Sequence, residues 1–414
     1  MSKGNFMIKI DEKKNCCGCT ACASICPKEC ISLVKDEEGF KYPEIDLNKC
    51  VDCGMCKRVC PVNSVFDTSE TKEAYIAQLK NSNELYKSAS GGIFAAIAHN
   101  VISNNGVVVG AAYDENFNVV HCIAKTEMEI YRFQGSKYVQ SNLNDIFKKI
   151  KLILQTGKLV CFSGTPCQVA GLNNFLGKKY SNLITVDIVC AGVPSQNLWD
   201  KYLDYQKSKF GSNVNYVNFR EKTYGYQCST MLIKFDSGKV YSKSGRIDPM
   251  MNFFVSGIAK RPSCYECPFK GISNRSSDIT LFDAWHASTL VPEFKDDRGY
   301  TSVLINTSIG KKEWETLCNN SIKSKKVEIE DIVSLDGIMI NNNPKVHTHR
   351  NSFYKTLNNE GLEGCIKHYL HIGNVDYLLE NIKPFLYKIG LINYTKKIKR
   401  IKKEYLSILK GEYK

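Results

Sequence analysis

From Val107 the chain reads VVVGAAY, seven residues without a charge, and after a polar break it resumes as VVHCIA. A run so uniformly apolar predicts a buried strand, and the second run a hairpin partner. Similar signals alternate along the chain. EAYIAQLK from Glu73 reads as a strand, and in SASGGIFAAIAHNVIS the apolar positions recur at helical spacing from Ile93 to Ile102. NLNDIFKKIKLILQ predicts a helix, KLVCFSG a strand, CQVAGLNNFLG a helix, NLITVDIVCAG a strand and PSQNLWDKYLDYQ a helix. Strand followed by helix, repeated, predicts an α/β domain with a mixed, largely parallel sheet, whose ligands bind at the carboxyl ends of its strands.

Two turns fall at such ends. One holds Ser88, Ser90, Gly91 and Gly92, the other Gly164, Thr165 and Pro166, and each opens a predicted helix. Backbone N–H groups at such helix starts can hold a phosphate; for either turn alone, an ordinary capped helix is the plainer account. Neither turn matches G-x-G-x-x-G or G-x-x-x-x-G-K-[ST], so no standard dinucleotide or ATP fingerprint is present.

Before this domain, short apolar stretches at Ile31 to Val34 and Ile45 to Leu47 flank an Asp-Glu-Glu-Gly turn, a hairpin pattern. A polar stretch, SVFDTSETKE, follows as a linker. Near the other terminus HTHRNSFYKTLNNEGLEG turns to polar helix, and Asn381 to Lys414 carries ten Lys/Arg against two Glu, +8 of the chain's +14. There Ile392, Ile398, Ile401, Tyr405 and Ile408 fall mainly on one side of a helix. A basic amphipathic helix suits an anionic membrane surface or an acidic redox partner, and a solvated helix packed on its own domain is the alternative. No recognition module accompanies the charge, so nucleic acid is not an expected partner.

The 414 residues are 43% hydrophobic, enough to bury a core without covalent staples. No secretory signal and no membrane-spanning apolar run is evident, which predicts a cytoplasmic location, with the inner face of the membrane reachable by the basic tail. In a reducing compartment, nineteen cysteines imply metal or redox chemistry rather than disulfides.

Their spacing is specific. Cys16, Cys19, Cys22 and Cys26, followed by proline, form C-x2-C-x2-C-x3-C-P, and Cys50, Cys53, Cys56 and Cys60 repeat it with every interval unchanged. In bacterial two-cluster ferredoxins three thiolates of such a run hold one cubane and the fourth reaches the other. Cys16, Cys19, Cys22 and Cys60 are therefore assigned to one 4Fe-4S cluster, and Cys50, Cys53, Cys56 and Cys26 to a second. Zinc ribbons pair two C-x2-C arms instead. Cys17 and Cys30 fall outside both sets and read as small apolar filling. The module has an α+β ferredoxin-like fold. Domain boundaries are placed at 1–66 for it, 73–345 for the α/β domain and 346–414 for a helical, basic extension.

Several stretches together resemble the coenzyme F420 hydrogenase/dehydrogenase beta-subunit family, in the branch with an N-terminal two-cluster ferredoxin. They are SASGGIFAAIA, QGSKYVQS, FSGTPCQVAGL, VDIVCAGVPS, RPSCYECPFK, DITLFDAWHA and DDRGYTSVLINT, in the family's order over roughly the first 345 positions. The family's usual DITLGDFWG is altered by Phe282 and His286, and its usual tryptophan after FREKTYG is Tyr226. Because of these departures the resemblance does not carry over the family's substrate pocket.

The resemblance implies FAD in the α/β domain and a third 4Fe-4S cluster beside it. For that cluster the available thiols are Cys167, Cys190, Cys264 and Cys267. Read from the residues alone, they serve as well for a zinc knuckle of Cys264 and Cys267, or as inert thiols; the resemblance favours the cluster. It further implies an oxidoreductase passing electrons between ferredoxin-type clusters and a small-molecule or deazaflavin-type substrate, with a ferredoxin-like or other redox protein as partner. A non-catalytic electron-transfer component of a larger complex, and a redox sensor or scaffold in surface-polysaccharide synthesis, are the alternatives. Lys137 in GSKY could set positive charge near a reduced flavin or a substrate carboxylate. Asp283 and His286, with Trp285 between them, cluster at an expected strand end, where a histidine could move protons or make a structural hydrogen bond.

Overall fold

The computed structural model describes residues 6–64 and 72–391. In chain order, β1 (Ile31–Lys35) and β2 (Lys41–Ile45) pair as a hairpin. Then β3 (Glu73–Leu79), β4 (Val107–Tyr113), β5 (Val119–Ala124), β6 (Val160–Gly164) and β7 (Leu183–Ile188) enter a large sheet. A small antiparallel sheet is built from β8 (Val214–Glu221), β9 (Thr230–Phe235) and β10 (Val240–Ser244), after which β11 (Ile279–Asp283), β12 (Thr301–Ile305) and β13 (Ile322–Val327) return to the large one.

The large sheet has the order β13-β3-β12-β11-β7-β6-β4-β5. Its four central strands, β11, β7, β6 and β4, are parallel, and the flanking pairs are antiparallel. The parallel part follows from the strand–helix units of the sequence, since a parallel return needs a crossover. The antiparallel flank brings β3 between β12 and β13, more than two hundred residues away, a pairing that local pattern does not encode.

Alternation along β4 sorts its side chains to two faces, as a period of two requires. Val108 and Ala112 meet the helix Ile93–Ser103, packed on Ile97, Val101, Val186 and Val303. Val107 and Val109 face the helices Ile146–Gln155 and Pro166–Leu176, with Phe147, Ile150, Phe162 and Leu172.

The cysteine-rich segment shares these cores. Cys17, Cys19 and Ala21 belong to the cluster of Phe147 and Phe162. At the hairpin tip Phe40 is 1% exposed, in a further core with Trp199, Tyr202, Phe219, Phe253 and Tyr354. Gly39 makes this insertion feasible: its φ is +86°, and a Cβ would lie 2.4 Å from Asn197 Cβ. Beside it Arg350 grips the Glu38 carboxylate with both Nη atoms. The hairpin's second strand runs from Lys41 to Ile45, earlier than the expected Ile45–Leu47, because Asp46 starts a turn by accepting the Asn48 N–H.

The helix Arg350–Tyr369, broken at Gly361, buries Phe353, Tyr354, Leu357, Leu362 and Cys365 in the Trp199 core. The next helix, Asn374–Lys388, leaves Val375, Leu378 and Phe385 exposed. The amphipathic pattern from Ile392 onward, and most of the expected linker, lie outside the described residues. No helix among the described residues is long and apolar enough to cross a membrane.

Candidate functional site

The two cysteine runs fold alike. Gly18 and Thr20 take φ values of +73° and +65°, and the equivalent Asp52 and Gly54 take +50° and +74°. Each turn leads into a short helix, Ala21–Ile25 or Met55–Arg58. Cys26 and Cys60 then adopt nearly the same extended backbone, φ −68° with ψ 112° and 115°, as a residue before proline should. Burial, then the neighbouring Cys16 and Cys60, push the Cys22 thiol up to about 12, so a thiol of the second run stands beside those of the first. In the other group, Cys26, Cys50, Cys53 and Cys56 line one small cavity with Cys30, whose Sγ is 3.4 Å from that of Cys26. Cys53 is exposed.

A second gathering of thiols lies in the α/β domain. Cys167 is in the first turn of Pro166–Leu176, Cys190 lies just past β7, Cys264 ends a 3-10 turn, and Cys267 donates its N–H to Asn343. All four line one cavity of about 570 Å³. Burial, then the proximity of Cys190, Cys167 and Cys267, raises the Cys264 thiol well above its ordinary range. Among the described residues no three Cys, His, Asp or Glu side chains are close enough to hold a single metal ion.

Cys17 enters the same cavity from the ferredoxin-like segment. Its thiol hydrogen-bonds with Cys167, which favours the thiolate; the bond to Cys19 and burial outweigh this and leave it well above the ordinary value. Two lysines, the buried Lys260 and the half-buried Lys270, flank the group. Lys270 donates to Cys190 O at 2.8 Å and Met339 O at 2.6 Å. Burial lowers both Lys260 and Lys270, and the nearby Cys190 opposes that in each. Neither lysine has a carboxylate partner among the described residues.

The carboxyl ends of the parallel strands supply the rest of the lining. Ser88, Ser90 and Gly92 line the cavity, as do Gly164, Thr165 and Pro166. Gly91 is turned into the sheet instead, where its N–H donates to Thr301 Oγ1 at 2.9 Å and a Cβ would lie 2.6 Å from Ala77 O. The serines do not cap the following helix: Ser88 Oγ donates to Glu84 O and Ser90 Oγ to Tyr300 O. Gly92 is the cap residue, with a left-handed φ of +78° and no side-chain bond. Thr165 forms a capping box with Gln168 and also lines the cavity.

Lys137 is part of that lining, donating to Gln134 O and Gly135 O, and burial pushes it down to about 8. Asp283 accepts from Arg220 Nη1 at 2.5 Å and from Tyr226 OH at 2.9 Å. Trp285 stacks on Tyr226 at 4.3 Å, and the Arg220 guanidinium lies 4.6 Å from the Trp285 ring centre. His286 is not in the lining. Its Nδ1 pairs with Asp336 at 2.8 Å, and its side chain is 54% exposed.

Four residues escaped sequence reasoning. Arg220 is 5% exposed, and its Nε and Nη2 have no hydrogen-bond partner among the described residues. His121 is 4% exposed, donates Nε2–H to Ser163 O at 2.9 Å and leaves Nδ1 without a partner; burial pulls it down to about 4. Cys17 and Arg261 complete the set. The only sequence signal for His121 is a polar residue inside an otherwise apolar strand, and Arg220 lacks even that, since its strand also carries Asn215, Asn218 and Glu221.

Comparison with known proteins bears on both halves. The model for a 4Fe-4S dicluster domain matches residues 15–64, and that for the C terminus of the coenzyme F420 hydrogenase/dehydrogenase beta subunit matches residues 157–334. Over 317 residues, 72% of this chain and 81% of that protein, the chain is 22% identical to the F polypeptide of the F420H2 dehydrogenase of Methanosarcina mazei. A 7Fe ferredoxin of Hydrogenibacillus schlegelii is 30% identical over 67 residues, 16% of this chain and 80% of the ferredoxin. Among solved structures, a chain of the F420-reducing NiFe hydrogenase complex from Methanosarcina barkeri is similar over 73% of this chain and 94% of that one, at 17% identity and a TM-score of 0.43.

Proposed function

Because the chain belongs to the coenzyme F420 hydrogenase/dehydrogenase beta-subunit family and carries a 4Fe-4S dicluster domain at its N-terminus, we propose that it is an iron–sulfur flavoprotein oxidoreductase. It passes electrons between a small hydride-carrying substrate, a deazaflavin or another, and ferredoxin-type clusters by way of FAD. The observation that carries this reading is the single cavity lined by two helix N-termini, Lys137, four domain cysteines and Cys17 of the ferredoxin segment.

The lining suits the groups assigned to it. About 570 Å³ falls within the roughly 300–1,000 Å³ of cofactor pockets. The orphaned Nδ1 of His121 and the Nε and Nη2 of Arg220 are polar atoms that a bound cofactor or substrate would satisfy. Backbone N–H groups at Gly92 and in the turn at Gly164 would hold phosphates, while that of Thr165 is already taken by Gln168 Oε1. FAD there would take two electrons with a hydride and release them singly, the conversion between a hydride donor and one-electron clusters. Lys137 would set positive charge against a reduced, anionic ring system. Asp283, held by Arg220 and Tyr226, would orient the guanidinium toward an anionic substrate.

Cys167, Cys190, Cys264 and Cys267 would hold a third 4Fe-4S cluster, since their thiolates would supply the counter-charge that Lys260 and Lys270 otherwise lack. Electrons would leave by the outer cluster at the exposed Cys53, where the exposed Val51, Leu47 and Phe6 offer apolar surface to a partner redox protein. The basic segment Asn381 to Lys414 would favour an anionic membrane surface in the cytoplasm.

The test is anaerobic loading of the full chain with iron, sulfide and FAD, followed by viologen reduction with a reduced deazaflavin and with a reduced nicotinamide. Stoichiometric FAD and dye reduction by one donor are expected. A chain that binds iron but neither FAD nor its phosphate half overturns the flavoprotein reading.

A further inference from the structure

Arg261 is 1% exposed, and its guanidinium spans the junction between the ferredoxin segment and the α/β domain. Nε donates to Cys16 O at 2.7 Å, Nη1 to Gln140 Oε1 at 3.0 Å, and Nη2 to Lys41 O at 2.9 Å and Cys16 Sγ at 3.5 Å. Its face lies 4.3 Å from the Tyr42 ring centre and 5.4 Å from that of Phe40. No carboxylate pairs with it among the described residues. A fully buried guanidinium without a counter-charge costs several kcal/mol. The neighbours that could supply one are the Cys16 thiol first, then the Tyr42 hydroxyl, the Cys17 thiol and, on the other side, the Cys264 thiol; of these Cys16 is the one whose Sγ the guanidinium reaches.

We infer that Arg261 is the buried counter-charge of the cluster held by Cys16, Cys19, Cys22 and Cys60, and that it makes this cluster the easier of the two to reduce. The inference rests on the ligand assignment above and adds to it a residue that sets the order in which the two clusters take up electrons. Reduction puts one electron, and so one further negative charge, on the thiolate-bound cluster; no bond forms or breaks and no proton moves. Arginine stays protonated throughout, so its attraction for the cluster grows with that electron. The second cluster, around Cys50, Cys53, Cys56 and Cys26, has no equivalent buried arginine among the described residues: Arg58, the nearby one, donates to Cys53 O from an exposed site. An electron reaching the Cys17–Cys167 contact therefore finds the better acceptor on the near side.

The test is a potentiometric titration of the full chain with dithionite, followed by electron paramagnetic resonance, with iron per chain as the control. Arg261→Gln removes the charge. Gln140→Glu keeps the arginine but sets a carboxylate against its Nη1. Each is expected to make reduction of one N-terminal cluster at least tenfold less favourable, a shift of about 59 mV for a one-electron couple. The other cluster should not move, and Arg261→Lys should fall between Arg261→Gln and the wild type. If Arg261→Gln loses iron, Gln140→Glu decides alone. Wild-type potentials with full iron in Gln140→Glu overturn the inference, while a wild-type chain without eight irons in its N-terminal segment overturns the ligand assignment instead.

Discussion

Cys19 sits directly on Gly171: a Cβ built on the glycine would lie 2.8 Å from the cysteine's Cβ and 3.0 Å from its Sγ. The bare helix backbone is what lets the ferredoxin loop approach the helix that also carries Cys167. Gly171→Val should push the loop away and cost about 1–3 kcal/mol, the usual range for overpacking. Iron content should hold, and electron transfer from the cavity to the N-terminal clusters should slow. Stopped-flow reduction by substrate, with direct dithionite reduction as the reference, measures this.

On the proposed third cluster, the five thiols around the cavity should divide by role. Replacing Cys167, Cys190, Cys264 or Cys267 by serine should remove about four irons per chain and leave the N-terminal clusters in place. Cys17→Ser should leave the iron count unchanged. Full iron in all four ligand variants would return these cysteines to filler.

The pH response of the cavity follows from Lys137. Burial lowers it to about 8, so the ammonium is charged at pH 7, and affinity for an anionic flavin should fall as pH rises through that value. Stability runs the other way. Between about 8 and the ordinary lysine value of 10.5 the unfolded chain keeps a proton that the folded chain has released, so this group's contribution to stability rises with pH across that window. Lys137→Met should flatten both trends, read as flavin affinity at two pH values and as the melting temperature of the flavin-free protein.

Arg350 joins Glu38 of the hairpin to the carbonyl of Lys260. Arg350→Met should leave a largely buried carboxylate without its partner and destabilise the chain by about 2–3 kcal/mol. Denaturant unfolding of the loaded protein checks the size, and the double variant Arg350→Met, Glu38→Gln should recover part of the loss.

His286 pairs with Asp336, which lines the cavity, but is not itself in the lining. His286→Ala should keep turnover within about twofold of wild type, as for a surface change of about 0.5 kcal/mol. Asp283→Asn, which weakens the hold on Arg220, should lower it by more than tenfold. Equal losses in the two variants would restore the histidine to the site.

What was legible in the sequence was what short-range spacing encodes. The repeated intervals from Cys16 to Cys60 specify two matching loops, and the matching backbone angles at Cys26 and Cys60 follow from the proline after each. Strand–helix alternation gave the parallel centre of the sheet because crossovers are themselves local units. Arg261 could not be read this way: its partners Cys16 and Lys41 are more than two hundred residues distant and share no period with it. The burial of Phe40 could not be read either, since its pocket is built by Trp199 and Tyr354. For His286, adjacency to Asp283 and Trp285 left two roles open. Asp283 and Trp285 line the cavity, while the more exposed His286 pairs with Asp336, a partner fifty residues on that no local pattern indicates.

The insertion of Phe40 into one core and of Cys19 into another bears on how the protein matures. The two loops around the cysteine runs need iron to close, and until they do, Trp199 and Phe147 lack part of their apolar cover. Iron supply thereby becomes a checkpoint on the whole chain, rather than on its first sixty residues. A cell short of iron would then hold less of this protein, because incompletely closed chains would be open to proteases and chaperones. It would not accumulate a folded but electrically silent form.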